Sequence, residues 1–367
     1  MHIFNKLFRS HQYGNIAVVF RDAHRKPIPQ MIYEFLHLFL KSRTLPTHYF
    51  ASLLYKKGVT NYLDYLDMRE IYRIQEILCD GNAVDILSNK LLFQEYYSMR
   101  HIRLPRLFAY NFNESGFVDK NGSWIRYDIR HIDSMRQFLE PILLMSGNGS
   151  LFIKPIRDSS GKRTRKIHAP THKLSLKEAE DIQGVLLADS FLIQAEVMQH
   201  QELSKLNHTS LNTIRMDTFK AGGGASEILS AVLRVGLAGK HIDNASSGGI
   251  FVGIDILNGT LKPHGYTLLS RGGSIYSIHP DSKIPFGGFR LPFFDEVKRL
   301  ALDAANLIPK AIVGWDIAIS NGGPVLIEGN AKYYGMDISD IAYGGYRNNH
   351  TFQKAKALAN SLAKGTK

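Results

Sequence analysis

The sequence has too little cysteine for a disulfide framework or a thiolate metal site, because its 367 residues include only one, Cys79. It also has no apolar run near the roughly 20 residues that a membrane-spanning helix requires. The first residues lack the continuous apolar segment of a secretory signal peptide. These absences predict a cytoplasmic protein with no transmembrane segment. They are compatible with weak association of the protein with a membrane surface.

Acidic residues are also scarce. There are 33 Asp and Glu residues against 45 Lys and Arg residues, which gives a formal net charge of +12. Such a surplus favours anionic partners. The chain has no zinc-finger spacing, basic low-complexity arm or RNA-binding repeat, so nucleic acid is not the expected partner. The two common glycine-rich phosphate motifs, G-x-x-x-x-G-K-[ST] and G-x-G-x-x-G, are absent as well, which argues against P-loop and Rossmann nucleotide sites.

The pattern along the chain predicts an α+β fold with mainly antiparallel strands. Residues 1–85 form a mainly helical lobe, in which Met31 to Leu40 is largely apolar. We divide the rest into a first α+β subdomain at 86–200, a second at 201–350, and a basic helix or tail at 351–367. The segments with β-branched and apolar residues between turn signals are LFIKPI, FLIQAEVM, LNTIRMDTF, EILSAVLRVGL, GIFVGIDIL, AIVGWDIAI and PVLIEGN. Helical patterns at Ser175 to Leu187 and Pro292 to Ile308 interrupt them. Nothing in the sequence specifies an oligomeric state.

The segment Ala311–Asn330 is predicted to form a β-hairpin with two acidic side chains on one face. Two apolar runs flank Asn-Gly-Gly, which predicts a three-residue turn. In the resulting register Asp316 is opposite Glu328, and Asn330 shares their face because side chains alternate along a strand. Adjacent carboxylates repel unless a cation lies between them, and oxygen ligands of this kind suit Mg²⁺ bound to phosphates. The alternative is that both acids face solvent without an ion.

Two further strands carry candidates for nucleotide binding. Lys154 lies in the apolar strand LFIKPI, where a lysine commonly meets an anion, and the loop with Ser159, Ser160 and Gly161 follows it. The alternative for Lys154 is an edge strand in which lysine prevents aggregation. A second apolar strand, residues 191–197, could bind adenine through its backbone groups.

These elements, in this order, resemble the ATP-grasp superfamily and specifically its sugar-transfer-associated family, over roughly residues 86–350. The resemblance implies two α+β subdomains that clasp ATP, after an N-terminal helical lobe. It also implies ATP and Mg²⁺ as cofactors. The residues that it assigns to ATP are Lys90, Lys154, Ser159, Ser160, Gly161, Gln194, Ala195, Val197 and Glu202. Those that it assigns to the metal are Asp316, Glu328 and Asn330. Gln194 departs from the pattern, since the family often has Glu there.

The middle of the chain is similar to glutathione-synthetase-like ligases, in which two strand arginines face the reacting groups. The likeness implies that Arg215 and Arg234 stabilise negative charge in phosphoryl transfer. The alternative is that both form structural ion pairs. The residues implied at the substrate are Asn244, Ser246, Ser247, Gly248 and Arg290. Gly314 departs from the pattern, because some ligases place an arginine there.

The resemblance implies a ligase that activates a carboxylate as an acyl phosphate and joins it to an amine. The expected substrates are an anionic small molecule or sugar with a carboxylate, and an amine, in surface or capsule polysaccharide biosynthesis. Three alternatives remain open on the sequence. They are a kinase that phosphorylates a small molecule or sugar, a non-catalytic nucleotide-binding regulator, and a basic protein that binds a surface polymer or a membrane without ATP.

Overall fold

The computed structural model describes residues 16–157, 163–237 and 245–365. The chain divides into two compact units. The larger unit consists of Met1–Ala83, Gln199–Pro324 and Gly329–Lys367, and the smaller unit of Val84–Met198 and Val325–Glu328. Within the described residues, no helix has both the length and the apolar composition needed to cross a membrane.

Helices are concentrated at the start and the end of the chain and between strands. The α-helices are α1 (Ile16–Arg21), α2 (Ile28–Ser42), α3 (His48–Ala51), α4 (Met68–Leu78), α5 (Gly81–Ser88), α6 (Lys90–Ser98), α7 (Ile132–Met145), α8 (Leu176–Ala188), α9 (Gln201–Leu206), α10 (Phe294–Asn306), α11 (Asp337–Tyr343) and α12 (His350–Gly365).

The strands occupy the region from residue 107 to residue 330. They are β1 (Leu107–Phe112), β2 (Ser115–Lys120), β3 (Ser123–Asp128), β4 (Ser150–Pro155), β5 (Arg165–His168), β6 (Phe191–Ala195), β7 (Thr213–Lys220), β8 (Glu227–Val235), β9 (Ile250–Asp255), β10 (Thr260–Tyr266), β11 (Ile275–Tyr276), β12 (Ala311–Ser320) and β13 (Gly323–Asn330).

The smaller unit is built on a six-stranded sheet of order β3-β2-β1-β6-β4-β5. Helices α7 and α8 contribute Phe138 and Leu186 to a core that also contains Leu151 and Ile193 of the sheet. Gly116 of β2 is required at this contact, since a Cβ there would lie 2.7 Å from the Phe138 ring. Helix α8 begins with a capping box between Ser175 and Glu178, which explains why the sequence locates this helix well.

The larger unit is built on a seven-stranded sheet of order β11-β10-β9-β8-β7-β12-β13. Its central strands β8, β7 and β12 pair antiparallel and are buried along nearly their whole length. The helices from both ends of the chain pack in this unit. The buried Asp340 carboxylate of α11 links them, because it accepts hydrogen bonds from the backbone N–H groups of Leu66 (3.1 Å) and Tyr346 (2.7 Å).

The predicted α+β class and the antiparallel pairing are confirmed, and each of the seven predicted strand segments contains a strand. Two features differ from expectation. Strands β2 and β3 and helix α7 were not predicted, because the two strands are short and mix polar with apolar residues, and α7 contains Pro141, which disfavours a helix. Strands β12 and β13 are joined by two residues, Asn321 and Gly322, rather than by three.

Candidate functional site

The central sheet of the larger unit holds a buried carboxylate between two arginines. Asp316 of β12 is paired with Arg215 of the neighbouring β7 in the strand register. Arg215 donates from Nε to Asp316 Oδ1 at 2.6 Å, and Arg234 Nη2 of β8 lies 2.9 Å from Asp316 Oδ2. Only 3% of the Asp316 side chain, 9% of Arg215 and 7% of Arg234 are exposed. The three charges are therefore held together away from water, where electrostatic interactions are strong.

Additional polar groups fix the two arginines. Arg234 donates from Nε and Nη2 to the hydroxyl of Thr213, which lies directly opposite it on β7. Burial opposes the charge of Arg215, but Asp316 and then Asp217 raise its pKa above the usual range. Arg215 uses Nε and Nη2 for Asp316, so its Nη1 hydrogens can serve an incoming phosphate or carboxylate oxygen.

Asp217 is a further buried acid of this surface that the sequence reasoning missed. Its Oδ2 accepts hydrogen bonds from Ser230 at 2.6 Å and Ser339 at 2.5 Å. Burial raises the pKa of Asp217, while Arg215 and the two hydroxyls act in the opposite direction. The signal was present in the sequence. Thr213, Arg215 and Asp217 alternate with apolar residues, and such a period of two places them on one face of a strand.

Asn330 is oriented as a metal ligand would need to be. Its amide nitrogen donates to the carbonyl oxygen of Gly314 at 3.2 Å, which leaves the amide oxygen as an acceptor. The predicted register places Gly314 opposite Asn330 and Asp316 opposite Glu328. It assumed a three-residue turn, and a regular ladder closed by two residues would be shifted by one position, so the pairing of the two acids stays a prediction. Each carboxylate oxygen can accept more than one bond, so guanidinium contacts do not by themselves exclude a cation at a carboxylate. Two carboxylates and an amide oxygen fit Mg²⁺, with phosphate oxygens and water as the other ligands.

Glu328 lies in the part of β13 that belongs to the smaller unit. Its Oε2 is 3.9 Å from Lys90 Nζ, and the two side chains are 34% and 18% exposed. Lys90 is the first residue of α6, where Asn89 caps the helix by accepting from the N–H groups of Leu91 and Leu92. The placement of Glu328 beside Asp316 stays a prediction from the sequence. Across the described residues, no group of three or more His, Cys, Asp or Glu could hold a metal.

The residues predicted to bind ATP in the smaller unit converge on one apolar cluster. Leu91, Ile156 and Leu192 pack together, with Leu107 and Tyr110 against them. The first three lie within two residues of Lys90, Lys154 and Gln194 along the chain, and the N–H of Lys90 bonds to the carbonyl of Ile156 at 3.0 Å. The three predicted residues thus flank the cluster along the chain, and their role in binding ATP stays a prediction.

Gln194 and Lys154 lie on interior strands. Strand β6 pairs with β1 and β4, so its backbone groups are used within the sheet up to Ala195, and Val197 follows beyond the ladder. The buried Gln194 side chain donates to Gln94 of α6 at 2.8 Å. Lys154 of β4 has β5 and β6 as neighbours, which excludes the edge-strand interpretation of this lysine. Its Nζ is 5.6 Å from the centre of the Phe152 ring.

The other predicted residues are more scattered. In the larger unit, Glu202 of α9 pairs with Lys205 at 2.7 Å, and Arg290 is exposed, with its backbone bridged to Thr260. Ser246 and Ser247 belong to a short 3₁₀ helix, and Gly248 follows with φ +96°. The predicted residues outside the described ranges are Ser159, Ser160, Gly161 and Asn244.

The structure explains the departure at Gly314. A Cβ at this position would lie 2.6 Å from the Tyr334 ring and 3.0 Å from both Arg215 Cδ and Asp217 Oδ1. No side chain fits there without moving the arginine that binds Asp316. That Arg234, Arg215 or Arg290 supplies the positive charge that some ligases place here stays a prediction.

We expect Gly314→Ala to lower the free energy of unfolding by about 1–3 kcal/mol and to impair turnover, because the added methyl displaces Arg215. Gly184→Ala is the matched control. Gly184 lies inside α8, and a Cβ added there would meet no neighbouring atom within 4 Å, so this change should be neutral or stabilising by up to about 1 kcal/mol. Thermal unfolding of both variants tests the expectation, and equal stability of the two would refute the steric argument.

Comparisons with known proteins agree with this geometry. The profile of the sugar-transfer-associated ATP-grasp family matches residues 73–353. Among curated proteins, no sequence matches the chain significantly.

Similar solved structures include D-alanyl-alanine synthetase A of Vibrio cholerae, with 15% identity, a TM-score of 0.44 and coverage of 78% of this chain and 68% of that one. The D-alanine–D-alanine ligase of Coxiella burnetii has 10% identity and a TM-score of 0.41, over 77% and 60% of the two chains. Biotin carboxylase of Campylobacter jejuni has 10% identity and a TM-score of 0.44, over 77% and 48%. The chain thus spans less than two thirds of the last two proteins.

The family profile covers most of the chain, including β1 to β13 and the Arg215–Asp316–Arg234 cluster. The α+β fold is the ATP-grasp fold, preceded by a helical region. The chain belongs to the sugar-transfer-associated ATP-grasp family.

Proposed function

We propose that the protein is an ATP- and Mg²⁺-dependent ligase that joins a carboxylate to an amine through an acyl phosphate. The observation that carries the proposal is the buried clamp of Arg215 and Arg234 on Asp316. Preorganised cations next to a carboxylate that can bind Mg²⁺ are what phosphoryl transfer requires, because its transition state carries charge on the phosphoryl oxygens. Membership of the ATP-grasp family supports the same reaction type.

In this proposal Asp316, Glu328 and Asn330 hold Mg²⁺, which when bound neutralises the β- and γ-phosphates. Lys90 and Lys154 would bind phosphate oxygens, and the apolar cluster of Leu91, Ile156 and Leu192 would support the adenine. The negative charge of Asp316 is already balanced by two guanidinium groups, so Asp316 attracts a free divalent ion only weakly. We therefore expect Mg²⁺ to enter together with ATP, whose phosphates supply the missing negative charge.

The reaction would proceed in two steps. An oxygen of the substrate carboxylate attacks the γ-phosphorus, the bond to the β-phosphate oxygen breaks, and ADP leaves. Arg215 and Arg234 stabilise the charge that develops. The amine nitrogen then attacks the acyl carbon, the carbon–oxygen bond to phosphate breaks, and the amine loses a proton. Ser247, Gly248 and Arg290 are candidates for substrate contacts, together with Asn244 and Ser246.

We further propose that the acid or the amine belongs to a sugar precursor of a surface polysaccharide, on the basis of the family's association with sugar transfer. An acidic sugar would suit a chain of net charge +12. The use of ATP and the scarcity of cysteine favour a cytoplasmic location.

The test supplies ATP, Mg²⁺ and a panel of uronic acids and amino acids, and measures ADP, AMP and product mass. A ligase yields ADP and an amide. With ¹⁸O in the carboxylate, the label should appear in inorganic phosphate, because the acyl oxygen leaves with it. A phosphorylated product would indicate a kinase instead, and AMP would exclude the acyl phosphate. ATP binding without turnover on any acceptor would indicate a regulator.

A further inference from the structure

Helix α2 exposes an uninterrupted apolar surface. Between Met31 and Leu40 every exposed residue is apolar. The exposed apolar side chains of α2, called here the apolar stripe, are Ile28 (43%), Ile32 (54%), Tyr33 (65%), Leu36 (51%), Phe39 (40%) and Leu40 (59%). Because successive helical residues are rotated by about 100°, these positions fall within an arc of about 140°. So large an exposed patch on one helix marks an interaction surface.

The opposite face of α2 is anchored within the larger unit. Met31 and Leu38 belong to its hydrophobic core. Glu34 is 3% exposed, and its carboxylate accepts hydrogen bonds from Lys26 and from the Tyr49 hydroxyl, both at 2.7 Å. These contacts fix the rotation of the helix about its axis. The apolar stripe therefore faces outward because these contacts hold the opposite face of α2 in place, and not because the helix is frayed.

Cationic residues lie at both ends of the stripe. Near the N-terminus of α2, Arg21, Arg25 and Lys57 line a shallow cavity of about 390 Å³ together with the half-exposed Phe20. The acid of this cavity, Asp22, is already neutralised by Lys56. At the other end, Lys41 and Arg43 follow Leu40 and are exposed. An apolar stripe between basic ends is the composition of a surface that lies on an anionic membrane.

We propose that α2 docks the protein on the surface of an anionic phospholipid bilayer. The apolar stripe enters the boundary between headgroups and acyl chains, and the cavity of Arg21, Arg25 and Lys57 receives a lipid phosphate. Charge favours this occupant over a second copy of the chain. Either orientation of two paired α2 helices brings basic ends together, and each copy carries a net charge of +12. The proposal is independent of the ligase chemistry.

The test is co-sedimentation of the full chain with vesicles of phosphatidylcholine alone or with phosphatidylglycerol added. We expect binding to the anionic vesicles that weakens as salt is raised. The double variant Ile32→Ser with Leu36→Ser should lower the partition coefficient by about tenfold or more, because it removes the side chains that enter the interface. The double variant Arg21→Ala with Lys57→Ala should bind the anionic vesicles more weakly but leave binding to phosphatidylcholine unchanged.

Leu257→Ser serves as the matched control, because Leu257 is 88% exposed in the turn between β9 and β10 and does not belong to the apolar stripe. It should bind vesicles like the unmodified chain. Thermal unfolding establishes that each variant is folded. The proposal is overturned if the unmodified chain stays in solution with anionic vesicles, or if both double variants bind these vesicles as strongly as the unmodified chain. It is also overturned if light scattering shows a dimer that Ile32→Ser with Leu36→Ser converts to a monomer.

Discussion

Asp316→Asn should destabilise the larger unit by about 3–5 kcal/mol and abolish ATP-dependent turnover. The substitution keeps the shape of the side chain but removes the one negative charge that Arg215 and Arg234 share at 2.6 and 2.9 Å. Two buried guanidinium groups would then lose the carboxylate that they share, and removing one partner of a buried ion pair is strongly destabilising. Chemical denaturation and an ADP-release assay measure the two effects.

Glu227→Gln provides the control for this expectation. It makes the corresponding acid-to-amide change in the same unit, but in a pair with Lys354 whose side chains are 40% and 45% exposed. Exposed pairs contribute little, so this variant should lose at most about 1 kcal/mol. If Asp316→Asn were as stable as Glu227→Gln, the buried clamp could not be the electrostatic centre that we describe.

Glu328→Gln should leave stability unchanged and lower turnover on the order of a hundredfold. Its side chain is one third exposed and lies 3.9 Å from Lys90 Nζ, and an ion pair exposed to this extent contributes little to the stability of the fold. Its proposed role is to bind Mg²⁺, and the amide is a much weaker ligand. The Mg²⁺ concentration that gives half-maximal rate should therefore rise. The measurement is a Mg²⁺ titration of the ATP-dependent rate.

Lys90→Met distinguishes Mg²⁺ binding by Glu328 from a simpler role, in which Glu328 only positions Lys90. If Glu328 only positioned Lys90, both variants would raise the KM for ATP equally and neither would change the Mg²⁺ dependence. The proposed site instead requires that Glu328→Gln change the Mg²⁺ requirement and that Lys90→Met act mainly on ATP affinity. Unaltered Mg²⁺ dependence in Glu328→Gln would remove Glu328 from the metal site.

The two predictions concern Asp316 and Glu328, which the sequence predicts on one hairpin but which differ in their exposure to solvent. Asp316 is enclosed by its neighbours, so its charge supports both the fold and the proposed chemistry. Glu328 is one third exposed, so its charge is expected to matter less for the fold than for the proposed chemistry. A structural role of Arg215 and Arg234 in ion pairs is therefore compatible with their proposed catalytic role. The same ion pairs that stabilise the sheet also orient the guanidinium groups.

The sequence could locate elements whose signal is local. The strands β7, β8, β12 and β13 were predicted because alternation and turn residues are properties of neighbouring positions. The start of α8 was predicted because a capping box spans only a few residues. No strand was predicted at β2 or β3, because these short segments mix polar and apolar residues and give only a weak alternating pattern.

The sequence by itself determined which chemical groups this protein offers: a lysine in each of two elements of the smaller unit, two strand arginines, and acids on a glycine-turned hairpin. Only the tertiary structure decided that Arg215 binds Asp316, 101 positions away, that Gly314 has no room for a side chain, and that the outer face of α2 is left uncovered. The physical reason is that strand register and helix docking depend on contacts between distant segments, whose geometry no local pattern of residues encodes.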